Sequence, residues 1–561
     1  MQELTPVERF LDTRDILLYL LGYLSIRDWF SLMLVCRDFL GAVKVSWKIR
    51  KSVYLKQLIK EYLHFRHVCL SKSPISTKKQ LSILRFDPEY QRHLNRELQP
   101  MALRFLGKFC PYLQEIFLTG SSLRGSCEIM HADLFPELAE LENLRTVHIS
   151  GYSVNLKKFQ GFLEISGLFL EEFDVRHNFL ESRDSATVEN LPRNVLRFFR
   201  EIKRLTIDYN TQILALRPPY SENLTHLRIF RSARLTVGQM VDLLTDCPRL
   251  EAVEIHNYDF LKAIEVVRKV PASSRVLRTL TLSHTPGSVL HPGHFFTLFS
   301  PLSALVELRL ESNVQLDDAR LRSIAECELV NLTTLSFDTT GQTAEGFRVL
   351  QRFRRLQKLI LPTHDANLSN DSLQAIAQIP SLQMLDIGAR QALPVFQALK
   401  DHRGLKELKL DVYGKQVIPQ DDGECSSRHA NRIRISPALK TLKLRLGRWV
   451  MDRFLVEIAN SCGEILEILW IHGAEDISFA SLEFVAQKCR KLRIFGIAID
   501  DVNLGRLTPK CVQDVLDANA PTLEQLHLGR KVYSQIGANL KIPSCVLQQE
   551  AHSWREYRDV W

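Results

Sequence analysis

The sequence predicts an α/β protein in which a short all-α segment is followed by a long solenoid of strand–helix repeats. Three observations predict it. The pattern L-x-x-L-x-L recurs from residue 113 to residue 528, the stretches between its copies have helical periodicity, and an apolar segment precedes the array. The chain has 561 residues, of which 45% are hydrophobic and 24% charged, so it can bury a large core.

The first element is the segment 10–48, in which 20 of the first 31 residues are apolar. A membrane-spanning helix needs about 20 consecutive apolar residues, and the longest uncharged runs here, 16–26 and 29–36, are shorter. The segment therefore predicts three short helices, the second beginning at Ser25 and Asp28, which have capping-box spacing. Because such a small unit cannot hide this many apolar side chains, we expect a permanent protein partner on its surface.

The second element is residues 49–108, a predicted basic helical connector. Between residues 44 and 108 there are 15 Lys or Arg against 4 Asp or Glu, whereas the whole chain carries a net charge of only +9. A basic segment of this kind can meet nucleic acid or an acidic partner, or it can be a solvated helical face. The sequence leaves these alternatives open.

The third element is the repeat array, predicted over residues 109–545. Sixteen copies of the pattern follow one another at a mean interval near 27 residues, within the interval of about 20–29 residues that is typical of leucine-rich repeats. The end of each copy predicts a short strand with its leucines pointing inward, and the next stretch predicts a helix. Stacked units of this kind predict a curved solenoid of about 16 repeats with a parallel sheet on its concave face.

Cysteine usage is consistent with a reduced compartment, because the 11 cysteines form no CxxC pair. Cys110, Cys247 and Cys489 precede the first leucine of a copy by three residues, and Cys462 precedes one by four. We expect these four thiols to pack as small apolar groups. The expected location of the protein is the cytoplasm, the nucleus or both.

Residues 15–39 resemble the F-box, with an acidic residue before Ile-Leu, a Tyr-Leu pair, and later Val-Cys-basic-x-aromatic. Followed by leucine-rich repeats, this motif makes the chain similar to F-box proteins of the leucine-rich-repeat class. The Leu-Pro that opens the family's motif is replaced by Asp12 and Thr13, which implies a weaker adaptor contact. The matching positions that the resemblance assigns to adaptor binding are Ile16, Leu17, Leu20, Leu24, Trp29, Val35, Cys36 and Phe39.

The resemblance implies a non-catalytic receptor subunit of an SCF-type ubiquitin ligase. Its F-box would dock an adaptor, and through it cullin and RING subunits, while its repeats bind the protein to be ubiquitinated. No cofactor, metal site or membrane contact is implied. Two alternatives remain, an interaction scaffold outside ubiquitination and a nucleic-acid binder that uses residues 44–108.

The outward residues of the predicted strands are mostly small or polar, so the exceptions indicate where a substrate binds. Lys409, Lys443 and Arg445 form a basic strip before Trp470, which would suit an acidic or phosphorylated segment. A one-residue change of register would instead place Trp470 in the core. The C-terminal aromatic tail, residues 546–561, can cap the array or reach back to its face. The predicted substrate-binding residues are Phe117, Arg228, Phe230, Lys409, Lys443, Arg445, Trp470 and His472.

Overall fold

The computed structural model describes most of the repeat array. Of the predicted F-box, residues 10–48, it describes only Val43 and Trp47, both helical and buried, so the eight predicted adaptor-binding residues lie outside the described residues. The described ranges are 43, 47, 51–55, 58–59, 88–119, 128–129, 134–150, 152–154, 170–176, 179–180, 201–208, 222–230, 235–270, 276–284, 290–311, 314, 316–339, 341–362, 368–412, 435–446, 452–472, 479–498, 509–529, 540 and 547–551.

The chain divides into two compact units, residues 1–277 and 278–561. The main sheet of the first unit is parallel, and its strands follow one another in the order β1-β2-β4-β6-β8-β9-β10, while β3, β5 and β7 form a second small parallel sheet. The elements of this unit are β1 (Ser52–Tyr54), α1 (Pro88–Phe109), β2 (Glu115–Thr119), β3 (Glu128–Ile129), α2 (Leu134–Ala139), β4 (Thr146–Ser150), β5 (Tyr152–Val154), β6 (Glu172–Arg176), β7 (Phe179–Leu180), β8 (Arg204–Asp208), β9 (His226–Phe230), α3 (Val237–Asp246), β10 (Ala252–Tyr258) and α4 (Phe260–Lys269).

The second unit contains one parallel sheet in which β11 to β21 pair in sequence order. Its elements are β11 (Thr279–His284), α5 (Pro292–Phe299), β12 (Glu307–Glu311), α6 (Asp318–Ala325), β13 (Thr334–Phe337), α7 (Ala344–Val349) with a 3-10 turn (Leu350–Arg352), β14 (Lys358–Leu361), α8 (Asn370–Ala377), β15 (Met384–Ala389), α9 (Ala392–Leu399), β16 (Glu407–Val412), β17 (Thr441–Leu446), α10 (Asp452–Cys462), β18 (Ile468–His472), α11 (Phe479–Lys488), β19 (Ile494–Ala498), α12 (Pro509–Ala518), β20 (Gln525–Gly529) and β21 (Leu547–Ala551).

Each repeat forms because its apolar positions change period from two to about 3.6. In β12, Leu308 and Leu310 are buried and their neighbours are partly exposed, as expected for a strand with one covered face. Several return helices begin at side-chain caps. Thr236 and Gln239 form a capping box at the start of α3, and the Asp317 carboxylate accepts a hydrogen bond from the Arg320 amide in α6. Helices of successive repeats pack against each other, so each repeat completes the core of its neighbour.

The predicted α/β leucine-rich-repeat architecture is confirmed. Each of the sixteen predicted copies forms a parallel strand, from β2 to β20. The structure adds β1 inside the segment predicted as a helical connector, and β21 inside the segment predicted as a tail. These two strands lack the leucine pattern. In β21, for instance, Gln548 pairs with the position of the buried Leu526.

The four cysteines before the repeat leucines are buried, which confirms their structural role. Burial raises the pKa of the Cys247, Cys462 and Cys489 thiols to about 12, so they stay protonated at neutral pH. Within the described ranges, no helix has both the length and the apolar character needed to cross a membrane.

Candidate functional site

The outward face of each sheet lies opposite the buried leucines, and one residue of every strand lies at its centre. In β2, for example, Phe117 lies between the buried Ile116 and Leu118. The parallel register places these central residues side by side on neighbouring strands, and we call the result the outward row. It consists of Tyr54, Phe117, His148, Asp174, Thr206, Arg228 and Glu254 in the first unit, and of Thr281, Arg309, Ser336, Ile360, Asp386, Lys409, Lys443, Trp470, Gly496 and His527 in the second.

The predicted basic strip of the second unit is interleaved with carboxylates. Lys409 is only 7% exposed, and its Nζ lies 3.8 Å from Oε1 of Glu407 on the same strand. Arg445 donates a hydrogen bond of 3.1 Å to Oδ2 of Asp411 on the neighbouring strand. The strip is therefore nearly balanced in charge, and an acidic segment that binds here must compete with these carboxylates.

An open groove of about 330 Å³ crosses the first residues of β13 to β16, beside the outward row. Lys358 and Lys406 line it, together with the side chains of Gln383, Met384 and Glu407. Lys406 donates a hydrogen bond of 3.1 Å to Gln383 and is otherwise exposed. The groove thus offers two lysines and an amide along the path that an extended segment would take.

Trp470 lies in the outward row, as the repeat register predicts, and yet it is only 4% exposed. Its ring lies against Gly496 of the next strand, so close that a Cβ added at that glycine would come within 2.6 Å of Trp470 Cδ2. Two strands away, the His527 ring lies 4.6 Å from the Trp470 ring. Trp470 therefore belongs to a small buried cluster on the outward face rather than to the leucine core. Neither of the two sequence-based interpretations described this arrangement.

Burial also changes the titration of three groups in the outward row of the second unit. Burial, and secondarily Lys409, lowers the pKa of Lys443, and burial raises the pKa of Asp386 against the opposite effect of Lys409. Burial lowers the pKa of His527 to about 4, with a further contribution from Lys443. His527 is therefore neutral at pH 7, and the whole cluster is poorly hydrated.

The predicted site residues of β9 lie in two cross-strand pairs with β10. Arg228 holds both carboxylate oxygens of Glu254, with Nη2 2.6 Å from Oε1. Phe230 stacks on the His256 ring with centroids 4.6 Å apart. Burial raises the pKa of Glu254, but hydrogen bonds from His256 and Arg228 outweigh it and bring the pKa to about 2. The outward face of β9 and β10 therefore holds an ion pair and, next to it, a stacked pair of rings.

The remaining predicted residue of the first unit, Phe117, is the middle ring of a stack of three. Its ring lies 4.0 Å from Tyr54 and 4.3 Å from His148, with interplanar angles of 8° and 3°. His148 Nε2 lies 3.4 Å from Oε1 of Glu115, and its Nδ1 lies 3.3 Å from Oδ2 of Asp174. Tyr54 is 52% exposed at one end of the stack.

The repeat pattern predicts that Lys409, Lys443 and Trp470 lie on adjacent strands of one face, and the strand register agrees with this prediction. It did not identify Tyr54, because the strand that carries it lacks the repeat pattern. Nor did it single out Gly496 and His527, although both stand at the outward position of their copies. The sequence did contain a signal for this contact, because the outward positions of two successive copies hold a tryptophan and a glycine.

No protein-family model and no curated protein matches the chain. Among solved structures, it is similar to a chain of the Rad7 and Elc1 complex in yeast, at 17% identity over 55% of this chain and 77% of that chain, with a TM-score of 0.40. It is also similar to the leucine-rich repeat-containing protein LegL7 from Legionella pneumophila (12% identity, 55% of this chain and 85% of that chain, TM-score 0.31). A third is the TLR13–ssRNA13 complex (13% identity, 74% of this chain and 70% of that chain, TM-score 0.34). These likenesses are partial, and the assignment rests on the strand register, the return helices and the buried leucines: the described part of the chain is a leucine-rich-repeat protein.

Proposed function

We propose that the chain is the substrate-recognition subunit of an SCF-type ubiquitin ligase. The F-box resemblance of residues 15–39 assigns the adaptor contact, and the outward faces of the repeats supply the surface for a protein substrate. The observation that carries the proposal is the chemistry of the second unit's face, where charged and aromatic side chains share one row beside an open groove. A face whose only task was solubility would not hold Lys409 and Trp470 in poorly hydrated positions.

The chain has no bond-making role in this proposal. Its mechanism is positioning, because a substrate held on the repeats is brought to a high effective concentration near ubiquitin carried by the ligase. The substrate segment is proposed to be acidic or phosphorylated and to lie along the groove, where Lys358 and Lys406 can pair with carboxylate or phosphate oxygens.

Affinity purification of the tagged full chain tests the adaptor contact. Adaptor and cullin should co-purify with the unchanged chain and be lost when Leu20 and Trp29 are both changed to Asp. Leu261→Asp is the matched control, because this leucine is 43% exposed on α4 and its replacement should leave the adaptor bound. Adaptor without cullin would favour the alternative of a scaffold outside ubiquitination, and no adaptor at all would overturn the proposal.

Substrate capture is tested separately. Proteins that accumulate when residues 10–48 are deleted, identified by mass spectrometry, are candidate substrates. Their binding should be lost when Lys358 and Lys406 are both changed to Glu, while adaptor binding remains. Lys203→Glu is the matched control, since this exposed lysine lies in the first unit and pairs with Glu171. Equal substrate binding by the groove variant and the control would show that the groove is not the site.

A further inference from the structure

We propose that the groove on β13 to β16 binds an extended, unmodified protein segment in which two acidic side chains lie three residues apart. This inference rests on the proposed function and narrows it, because it states the chemistry and the spacing that the substrate segment presents. The segment crosses the strands, with one carboxylate on Lys358, the other on Lys406, and its middle residues on Met384.

The charge around the groove favours an acidic occupant. The turn before β14, residues 350–358, carries three arginines and one lysine and no acidic residue, and residues 400–406 add three cations against one carboxylate. Arg354 and Arg403 of these turns are exposed. Glu407 is the one acidic residue that lines the groove. The local balance is therefore positive, and an acidic segment is attracted to it.

The row of residues directly before each strand shows how such lysines are paired elsewhere in the unit. On β17 to β20 this row alternates in charge: Lys440 Nζ lies 2.7 Å from Oε1 of Glu467, and Arg493 lies 3.9 Å from Oε2 of Glu467 and 2.8 Å from Oε1 of Glu524. On β13 to β15 the row holds only neutral residues, and on β16 it holds Lys406. Carboxylates supplied by a ligand would continue the alternation of charge across the groove.

The two lysines of the groove lack such a carboxylate. Lys406 Nζ donates a hydrogen bond of 3.1 Å to the neutral side chain of Gln383. In the described part of the chain, no carboxylate forms an ion pair with Lys358 or Lys406. Both ammonium groups can therefore take an acidic side chain of a ligand without displacing one of the chain's own carboxylates.

The strand register sets the spacing of the two acidic side chains. Lys358, Met384 and Glu407 are partners in register on β14, β15 and β16, and Lys406 directly precedes Glu407. Neighbouring strands are about 4.8 Å apart, so two intervals separate the lysine backbones by about 10 Å. In the polyproline II conformation, residues three apart lie on the same side at a distance of about 9 Å. This backbone makes no internal hydrogen bonds, so it can cross the face of a sheet, where ladder pairing is not available.

The lining of the groove favours carboxylates over phosphates. No arginine is among its eight lining residues, whereas the planar fork of arginine suits phosphate best. Glu407 would also repel a phosphate, with nearly two charges, more strongly than a carboxylate with one. The lining contains no aromatic ring on which a nucleic-acid base could stack. An acidic protein segment is therefore the occupant that we infer.

Fluorescence anisotropy with the full chain at physiological ionic strength tests the spacing. Three fluorescein-labelled peptides of equal net charge have the centres Glu-Pro-Glu, Glu-Pro-Pro-Glu and Glu-Pro-Pro-Pro-Pro-Glu, and a fourth carries Gln-Pro-Pro-Gln. The Glu-Pro-Pro-Glu peptide should bind about threefold more tightly than the other two acidic peptides, which can make only one of the two exposed ion contacts. The glutamine peptide should bind least. Equal binding of the three acidic peptides would overturn the inference, as would failure of the chain to bind any of them.

Substitutions of the lysines test the contacts. Lys358→Gln and Lys406→Gln should each weaken binding of the Glu-Pro-Pro-Glu peptide about two- to fivefold, the range for one exposed ion pair. Lys440→Gln is the matched control, because this lysine lies in the same row but pairs with Glu467, and it should bind like the unchanged chain. A chain with both Lys358→Glu and Lys406→Glu should instead prefer a Lys-Pro-Pro-Lys peptide. Binding that neither glutamine variant weakens would contradict the inference.

The remaining outcomes separate this inference from the proposed function. If the peptide bound only with phosphoserine in place of both glutamates, the inference would be wrong, while a receptor for a phosphorylated substrate would remain. If the adaptor failed to co-purify and the Glu-Pro-Pro-Glu peptide still bound, the ligase proposal would be wrong and the inference would stand. A single-stranded RNA probe that bound more tightly than the peptide, and lost binding in both glutamine variants, would assign the groove to nucleic acid instead.

Discussion

Tyr54 in the first unit and Trp470 in the second occupy the same position of their repeats, but their surroundings differ. Both are aromatic residues of the outward row, and Tyr54 is 52% exposed whereas Trp470 is 4% exposed. The neighbouring strand accounts for much of the difference. The residue beside Tyr54 is Phe117, whose ring stacks on the tyrosine ring, and the residue beside Trp470 is Gly496, which leaves room for the indole to lie against the backbone.

The comparison shows that the repeat fixes the position of an outward residue but not its role. The leucine pattern sets the backbone register, and with it which side chains are neighbours. Where the neighbour is a ring, the outward residue stays exposed and can receive a ligand. Where the neighbour is a glycine, the outward residue is buried in a small second core.

The largest expected effect is the loss of stability when the two aromatic residues are each replaced by alanine. Trp470→Ala should lower the free energy of unfolding by about 3–5 kcal/mol, the range for truncating a buried aromatic ring. Tyr54→Ala should change it by less than about 0.5 kcal/mol, as is usual for an exposed side chain. Thermal unfolding of both variants measures the difference. A Trp470→Ala protein with an unchanged melting temperature would show that the indole is not part of a packed cluster.

The glycine beside Trp470 gives the next largest effect. Gly496→Ala places a methyl group where the indole lies and should cost about 1–3 kcal/mol of unfolding free energy through overpacking. The matched change in the first unit, Gly107→Ala, should have the opposite sign. Gly107 lies inside α1 with no atom closer than 3.9 Å to the new Cβ, so alanine should stabilise the helix by up to about 1 kcal/mol. Denaturant titration of the two variants distinguishes them, and equal effects would contradict the proposed contact.

The sequence predicted the register of both faces but not the packing on them. Because the leucine pattern recurs in each copy, it places Lys409, Lys443 and Trp470 on adjacent strands without any structural information. The burial of Trp470 depends on Gly496 and His527, which lie one and two strands further along and are brought beside it only by the fold. The strand that carries Tyr54 was not predicted because it is only three residues long and has a single buried residue, Val53, inside a basic segment.

A smaller effect is expected for the Arg228–Glu254 ion pair on the outward face of the first unit. The pKa of Glu254 is about 2, below its ordinary value of 4.5, so the stability that this carboxylate contributes is present above pH 4.5 and is lost as the pH falls toward 2. Arg228→Ala should cost about 1–2 kcal/mol at neutral pH and make the acid dependence shallower. Unfolding followed from pH 7 to pH 3 measures both. Arg204→Ala is the control, because this pair with Glu172 is exposed and separated by 3.6 Å, and it should have little effect.

The smallest expected effect is the pH dependence of the Trp470 cluster. The pKa of His527 is about 4, lowered from its ordinary value of 6.5 by burial and by Lys443. Above pH 6.5 the histidine is neutral in both the folded and the unfolded chain and contributes no pH dependence. As the pH falls from 6.5 toward 4, only the unfolded chain binds the proton, so stability decreases through this range. We expect a loss below about 1 kcal/mol between about pH 7.5 and pH 6. His527→Gln should remove the pH dependence that this histidine contributes. Lys443→Gln should raise the pKa of His527 and so narrow the pH range over which stability decreases. Melting temperatures at a series of pH values test this. Parallel curves for His527→Gln and the unchanged chain would show that folding does not shift the pKa of His527.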